Sequence, residues 1–241
     1  SNHGNKKDGS ESHVPAYVRH FDPVVKSIPP AIRLQPDAVW LNPEAAEYHQ
    51  VLRELTAQDG SFGETWETVG ICKAIPDQRD LTLRYREKAA VLSDGFMMMR
   101  MFFSGSSMMS QAAFRFGFAA LPLQEEEQLS VEKFAFGQAC YFTLVPSRAL
   151  NIRTPQELAE PLQTLVLCMI ALGNTESTIR QSRERKAPSP GYDAMLCGGR
   201  PQLGMPLPKD PRKDTQEYLV FDGDRCLPMY LIIVKRCVVN T

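Results

Sequence analysis

The chain has 241 residues, 43% apolar and 23% charged, with a formal net charge of -1. That length carries one or two domains with a real core, and the balance is that of an ordinary globular protein. Near-neutral charge argues against a generally basic nucleic-acid binder, and no apolar run is long enough to cross a bilayer as a helix.

Residues 1–14 open with SNHGNKKDGSESH, polar and rich in Gly and Ser, and read as a disordered leader or linker ahead of a single domain over 15–241. The start resembles neither a natural initiation site nor a secretory signal. A soluble intracellular protein, nuclear or cytoplasmic, is expected, with a piece of a longer protein as the alternative. Pro15 to Pro36 is proline-rich and expected to be irregular. Asn42 to Ala57 is the clearest helix, with Asn42 as N-cap, Pro43 in the first turn, and Ala45, Tyr48, Val51, Leu52 and Leu55 on one face. DGSFG breaks the chain. Thr68 to Ile75 alternates like a strand, Arg79 to Leu92 reads as a second helix, and Met97 to Phe103 as a short strand ending at the turn SGSS. Met108 to Phe116 reads as helix, stopped by Gly117. The methionines at 97–99 and 108–109 read as core filling, with a partner groove as the alternative.

The acidic stretch Leu123 to Phe134 reads as an exposed loop or short helix. FAFGQACYFTLV reads as a glycine turn and then a strand, SRALNI and TPQELAEPL as helix or turn, and Thr164 to Leu172 as a buried strand. Asn174 to Pro190, with its basic run Arg180 to Lys186, reads as a solvated loop. The next stretch, GYDAMLCGGRPQLGMPLPKDPRKD, is rich in turn residues. EYLVF and MYLIIV then form two final strands around a polar turn. Helices gather in the first half and short strands in the second, which points to an α+β domain. The six cysteines are scattered without CxxC spacing, and the four histidines all fall in the first fifth of the chain. No metal site is expected, and the thiols read as reduced and buried.

Four segments in order resemble the catalytic domain of the poly(ADP-ribose) polymerase (PARP) family. MFFSGSS at 101–107 is similar to the family's strand ending in His-Gly-Ser/Thr. FGQACYFTLVPSRALN at 136–151 is similar to its Phe-Gly-Lys-Gly-Ile-Tyr-Phe segment and the Ser-Lys-Ala/Ser that follows. LVLCMIALGN at 165–174 resembles its Cys-containing core strand. GYDAMLCGG together with EYLVFDGDRCLPMYLI resembles its closing strands. The resemblance spans roughly residues 37–237.

It implies a PARP-like ADP-ribosyltransferase fold: a split, twisted antiparallel sheet with flanking helices and NAD in a cleft between its halves. It also implies cleavage of the nicotinamide–ribose bond through an oxocarbenium-like transition state, which a nearby carboxylate stabilises. The family's His-Tyr-Glu triad falls on Ser104, Tyr141 and Glu217. The glycine whose backbone grips the carboxamide falls on Gly105. The nicotinamide-contacting Ser falls on Ala149, and the second stacking Tyr on Ile152. A lost hydrogen bond or stacking contact costs about 0.5–1.5 kcal/mol each, so three together imply NAD binding weaker by about two to three orders of magnitude if they add. The expectation is a degraded nicotinamide pocket that binds NAD weakly or not at all, in a module for a protein partner or for RNA, with no membrane role. The rival is an active mono-ADP-ribosyltransferase that uses NAD as substrate and Glu217 as its carboxylate.

Overall fold

Asn42 and Pro43 shape the entry to the first helix rather than cap it. The Asn42 side chain accepts from the Glu44 backbone N–H at 2.9 Å, its carbonyl accepts from Ala45, and helix α1 runs Ala46–Ala57. An asparagine bonded to its neighbour two residues on makes a local turn, which delays the helix. Tyr48, Val51 and Leu55 are buried at helical spacing, as their pattern requires.

The computed structural model describes residues 38–57, 59–75, 80–92, 97–121, 136–151, 153, 159–178, 180–198 and 216–237, all within the unit Leu34–Thr241. The readings made for residues 1–36 and for Leu123 to Phe134 lie outside these. Strand β1 (Ala38–Trp40) precedes α1. The expected break at DGSFG holds a four-residue helix, α2 (Phe62–Thr65), which runs straight into β2 (Trp66–Ala74). Then come α3 (Asp80–Ala90), β3 (Met98–Phe103) and α4 (Ser107–Phe116). Gly117 ends α4 at φ +84°, a conformation that suits glycine. After β4 (Cys140–Thr143), α5 (Pro146–Asn151) and β5 (Gln163–Ala171) the structure departs from the pattern. TEST and AMLC, read as loop and turn, are strands β6 (Thr175–Thr178) and β7 (Ala194–Cys197). β8 (Glu217–Val220) and β9 (Cys226–Arg236) close the chain.

The strands form one hydrogen-bonded order, β1-β2-β9-β5-β3-β4-β8-β7-β6, in a mixed α+β architecture. All pairings are antiparallel except β6–β7, which is parallel. Parallel neighbours need a crossover, and the stretch between β6 and β7, expected to be solvated, supplies it. Within it Arg180, Arg183 and Lys186 are exposed, whereas Arg185 pairs with Glu176 at 3.4 Å. The β3–β4 join has only two residue pairs, Phe102↔Thr143 and Phe103↔Phe142. It separates β1-β2-β9-β5-β3 from β4-β8-β7-β6.

The first half packs α1 on Trp66, Ile71, Phe102, Leu165, Leu167, Ile232 and Val234. The second half has its own cluster of Phe136, Ala139, Tyr141, Met195, Cys197 and Leu219. All six cysteines are free thiols; five are buried and Cys237 is half-buried. Burial pushes the Cys140 thiol up to about 12 and raises those of Cys168 and Cys226 as well. The methionine runs divide. Met109 fills the core and Met99 is half-buried, but Met97, Met98 and Met108 are exposed. No helix among the described residues is long and apolar enough to cross a membrane.

Candidate functional site

The narrow join between the two half-sheets positions the candidate residues. Ser104 leaves β3 with its N–H bonded to the Tyr141 carbonyl at 2.8 Å, which extends the β3–β4 ladder by one step. Tyr141 faces Leu219 across β4–β8, and Glu217 lies two residues before Leu219, on the same face. Cys197, opposite Glu217 on β7, donates its thiol to the Glu217 carbonyl at 3.4 Å. Ser104, Tyr141 and Glu217 thus stand at or on the adjoining strands β3, β4 and β8.

Each of them is closed off. Glu217 has 0% of its surface exposed, and Arg148, at 6%, lies with Nη2 3.9 Å from its Oε2. A carboxylate this deep needs a counter-charge, because an ionised group without one costs several kcal/mol to bury. Arg148 arrives on α5, which Pro146 opens, and the Asp59 carboxylate receives the Ser147 N–H at 3.2 Å at the start of that helix. The Tyr141 hydroxyl is also engaged. It donates to the Gly137 carbonyl at 2.9 Å and accepts from the Phe136 N–H at 3.1 Å, tying the phenol to the turn before its own strand. Ser104 is buried at 3% exposure.

Gly105 is half-buried, and a Cβ there would come within 2.3 Å of the Phe103 ring. Phe103 is held in turn by Phe118 and Phe142, with ring centroids 5.0 and 5.7 Å away. The Gly105 carbonyl accepts from Arg153 Nε at 3.0 Å. Arg153 itself is buried. Its other nitrogens donate to Ser107 Oγ at 2.9 Å, to Gln163 Oε1 at 2.6 Å and to the Thr164 carbonyl at 2.5 Å. Ser107 Oγ accepts from the Thr164 N–H at 3.1 Å, so one buried network joins the start of α4, the start of β5 and the Gly105 turn.

No protein-family model matches the chain, and no characterised protein sequence matches it. The geometry therefore stands on its own.

Ala149 is fully buried in the core of the first half, beside Leu150, so it offers no open surface to a ligand. Ile152 lies outside the described residues. Among the described residues no group of three or more His, Cys, Asp or Glu side chains converges as metal ligands. Sequence reasoning missed Arg148 and Arg153, and with them Ser107, Gln163 and Asp59. The available signal was two arginines within the otherwise apolar stretch PSRALNIR, a composition that asks where their charges go. Chemically, the arrangement holds a neutralised carboxylate, a phenol with its proton donated, and a carbonyl already accepting from a guanidinium.

Proposed function

We propose that this chain carries a PARP-like ADP-ribosyltransferase domain whose nicotinamide pocket is closed, and that it serves as a non-catalytic module for a protein partner. The observation that carries this reading is the buried Arg148–Glu217 pair. In the fold that the motifs resemble, the carboxylate must face the ribose to stabilise charge developing in the transition state. Here it faces a guanidinium of its own chain. Two further features support the reading. The placement of Ser104, Tyr141 and Glu217 on adjoining strands follows the motif order, and the two-pair join between β3 and β4 suits a sheet in two halves. The changes at Ser104, Ala149 and Ile152 point the same way. Exposed Met97, Met98 and Met108 offer apolar contacts of the kind a protein partner uses.

The test is NAD itself, by isothermal titration and by auto-modification with labelled NAD. No binding and no label at millimolar NAD is the expected outcome. Low-micromolar affinity would overturn it, as would label that disappears in Glu217→Gln, which would establish a mono-ADP-ribosyltransferase. RNA binding that is salt-sensitive and lost when Arg180, Arg183 and Lys186 are neutralised would replace the protein partner with RNA.

A further inference from the structure

Two arginines of one short segment reach two of the three groups that the resemblance keeps, Glu217 and Gly105. Arg148, on α5, lies against the Glu217 carboxylate. Arg153, five residues on, donates Nε–H to the Gly105 carbonyl. Both side chains are buried, so neither guanidinium is a surface group that happens to lean inward. We propose that Arg148 and Arg153 form an intramolecular lock, and that this lock, rather than the substitutions at Ser104, Ala149 and Ile152, is what denies the pocket to NAD. The inference rests on the function proposed above and adds a cause to it.

The two contacts differ in kind: Arg153 donates a hydrogen bond to the Gly105 carbonyl at 3.0 Å, whereas Arg148 stands 3.9 Å from the Glu217 carboxylate as an ion pair. A guanidinium serves both, filling a carbonyl acceptor by charge-assisted N–H donation and balancing an anion with its fixed charge. A carboxamide donating its NH2 to Gly105 would have to displace Arg153 Nε, and a ribose hydroxyl donating to Glu217 would have to enter the buried space beside Arg148. Arg153 cannot swing away cheaply. Its three nitrogens are fixed at once by Gly105, Ser107, Gln163 and Thr164, and moving it would strip donors from four acceptors inside the protein. Arg148 is held by the charge of Glu217 and by α5, whose first turn Asp59 fastens through Ser147.

The two explanations of weak NAD binding separate cleanly. If the changed motif residues were the cause, restoring them would restore binding with both arginines in place. If the arginines are the cause, only their removal opens the pocket. The experiment is isothermal titration of NAD into wild type, into Ser104→His/Ala149→Ser/Ile152→Tyr, and into Arg148→Ala/Arg153→Ala/Glu217→Gln. The last change removes the negative charge of the pair together with the positive one. A cooperative thermal transition checks that each protein is folded. Wild type and the motif-restored protein are expected to show no binding at millimolar NAD, and the arginine-free protein to bind at least tenfold more tightly than wild type. Binding by the motif-restored protein overturns the lock. A folded arginine-free protein that gains nothing also overturns it, while leaving the closed module intact. Wild type that binds NAD at low micromolar concentration overturns the closed module itself and the lock with it. Should the arginine-free protein fail to fold, nitrogen-15 NMR of the wild-type guanidinium groups decides. The Arg153 Nε–H is expected to exchange with solvent at least a hundredfold more slowly than those of exposed Arg180 and Arg183, and exchange at their rate refutes the lock.

Discussion

Replacing Arg148 with Met removes the counter-charge of Glu217 while keeping most of the side-chain volume. The two groups are 3.9 Å apart, with side-chain exposures of 7% and 0%. At that separation and an effective dielectric near 20, the attraction is about 4 kcal/mol. Breaking a buried pair from one side typically costs about 3–5 kcal/mol, because the remaining charge is stranded. Arg148→Met and Glu217→Gln are each expected to lower stability by about 3 kcal/mol. The double variant strands no charge and is expected to lie within about 1 kcal/mol of wild type, since well-packed neutral replacements for buried pairs are often neutral. The cycle therefore predicts a coupling of about 5 kcal/mol, far from additivity. Urea denaturation reads it directly, provided the slope m is common to all four proteins. Single variants that cost under about 1 kcal/mol, or a double variant that costs the sum of the singles, would refute the pairing and with it the account of why the carboxylate is closed.

Gly105→Ala would drive a methyl into the Phe103 ring, which Phe118 and Phe142 keep in place, so a loss of about 1–3 kcal/mol is expected in thermal melts. An unchanged melting temperature would mean that the ring yields. Native thiol titration with an aromatic disulfide reagent is expected to label Cys237 alone of the six cysteines, with the rest reacting only on unfolding; rapid labelling of two or more would contradict their burial. The Ser189 N–H, bonded to Glu176 at 2.9 Å, holds that carboxyl below the usual carboxylate range against the opposing effect of burial, with the Ser189 hydroxyl and Arg185 adding to it. A depressed folded value means that this anchor contributes its full stability above the unfolded value of about 4.3, and loses it as pH falls through the lower folded one. Protection of the Ser189 amide against hydrogen exchange should persist through about pH 5 and collapse only below the ordinary carboxylate range; collapse at pH 5 or above would contradict the assignment.

Elements that carry their own periodicity were readable from the chain. Helix α1 and strands β2, β3, β5, β8 and β9 each announce themselves by spacing or by a run of β-branched and aromatic residues, and each forms within a few residues of where the pattern puts it. TEST and AMLC were not readable for a physical reason. Thr175–Thr178 has no apolar residue to alternate, and Ala194–Cys197 is four residues among turn formers. Both are strands because β8 offers an edge to β7, and β7 then offers one to β6. The site divided in the same way. Gly105, Tyr141 and Glu217 could be found by motif, because position along a strand is a local property. Their closure could not. Arginines in a short helical segment normally face water, and whether Arg148 and Arg153 do so depends on what the sheet places beneath them.

The burial of Arg148 also bears on why an acid stands at the head of β8 at all. In a catalytic pocket, Glu217 would be required by the chemistry and dispensable for folding. In this structure the dependence runs the other way. With a guanidinium buried at 6% exposure beside it, the carboxylate at 217 balances a buried positive charge, which gives it a use in the fold apart from any chemistry. The presence of Glu217 is therefore no evidence of turnover, although it is the residue on which a catalytic reading would lean. The same holds for Tyr141. Its phenol closes the turn at Phe136 and Gly137 and has a structural use without any ring to stack on. Glu217 and Tyr141 thus each have a use in the fold itself. Ser104, at the end of β3, is buried as well.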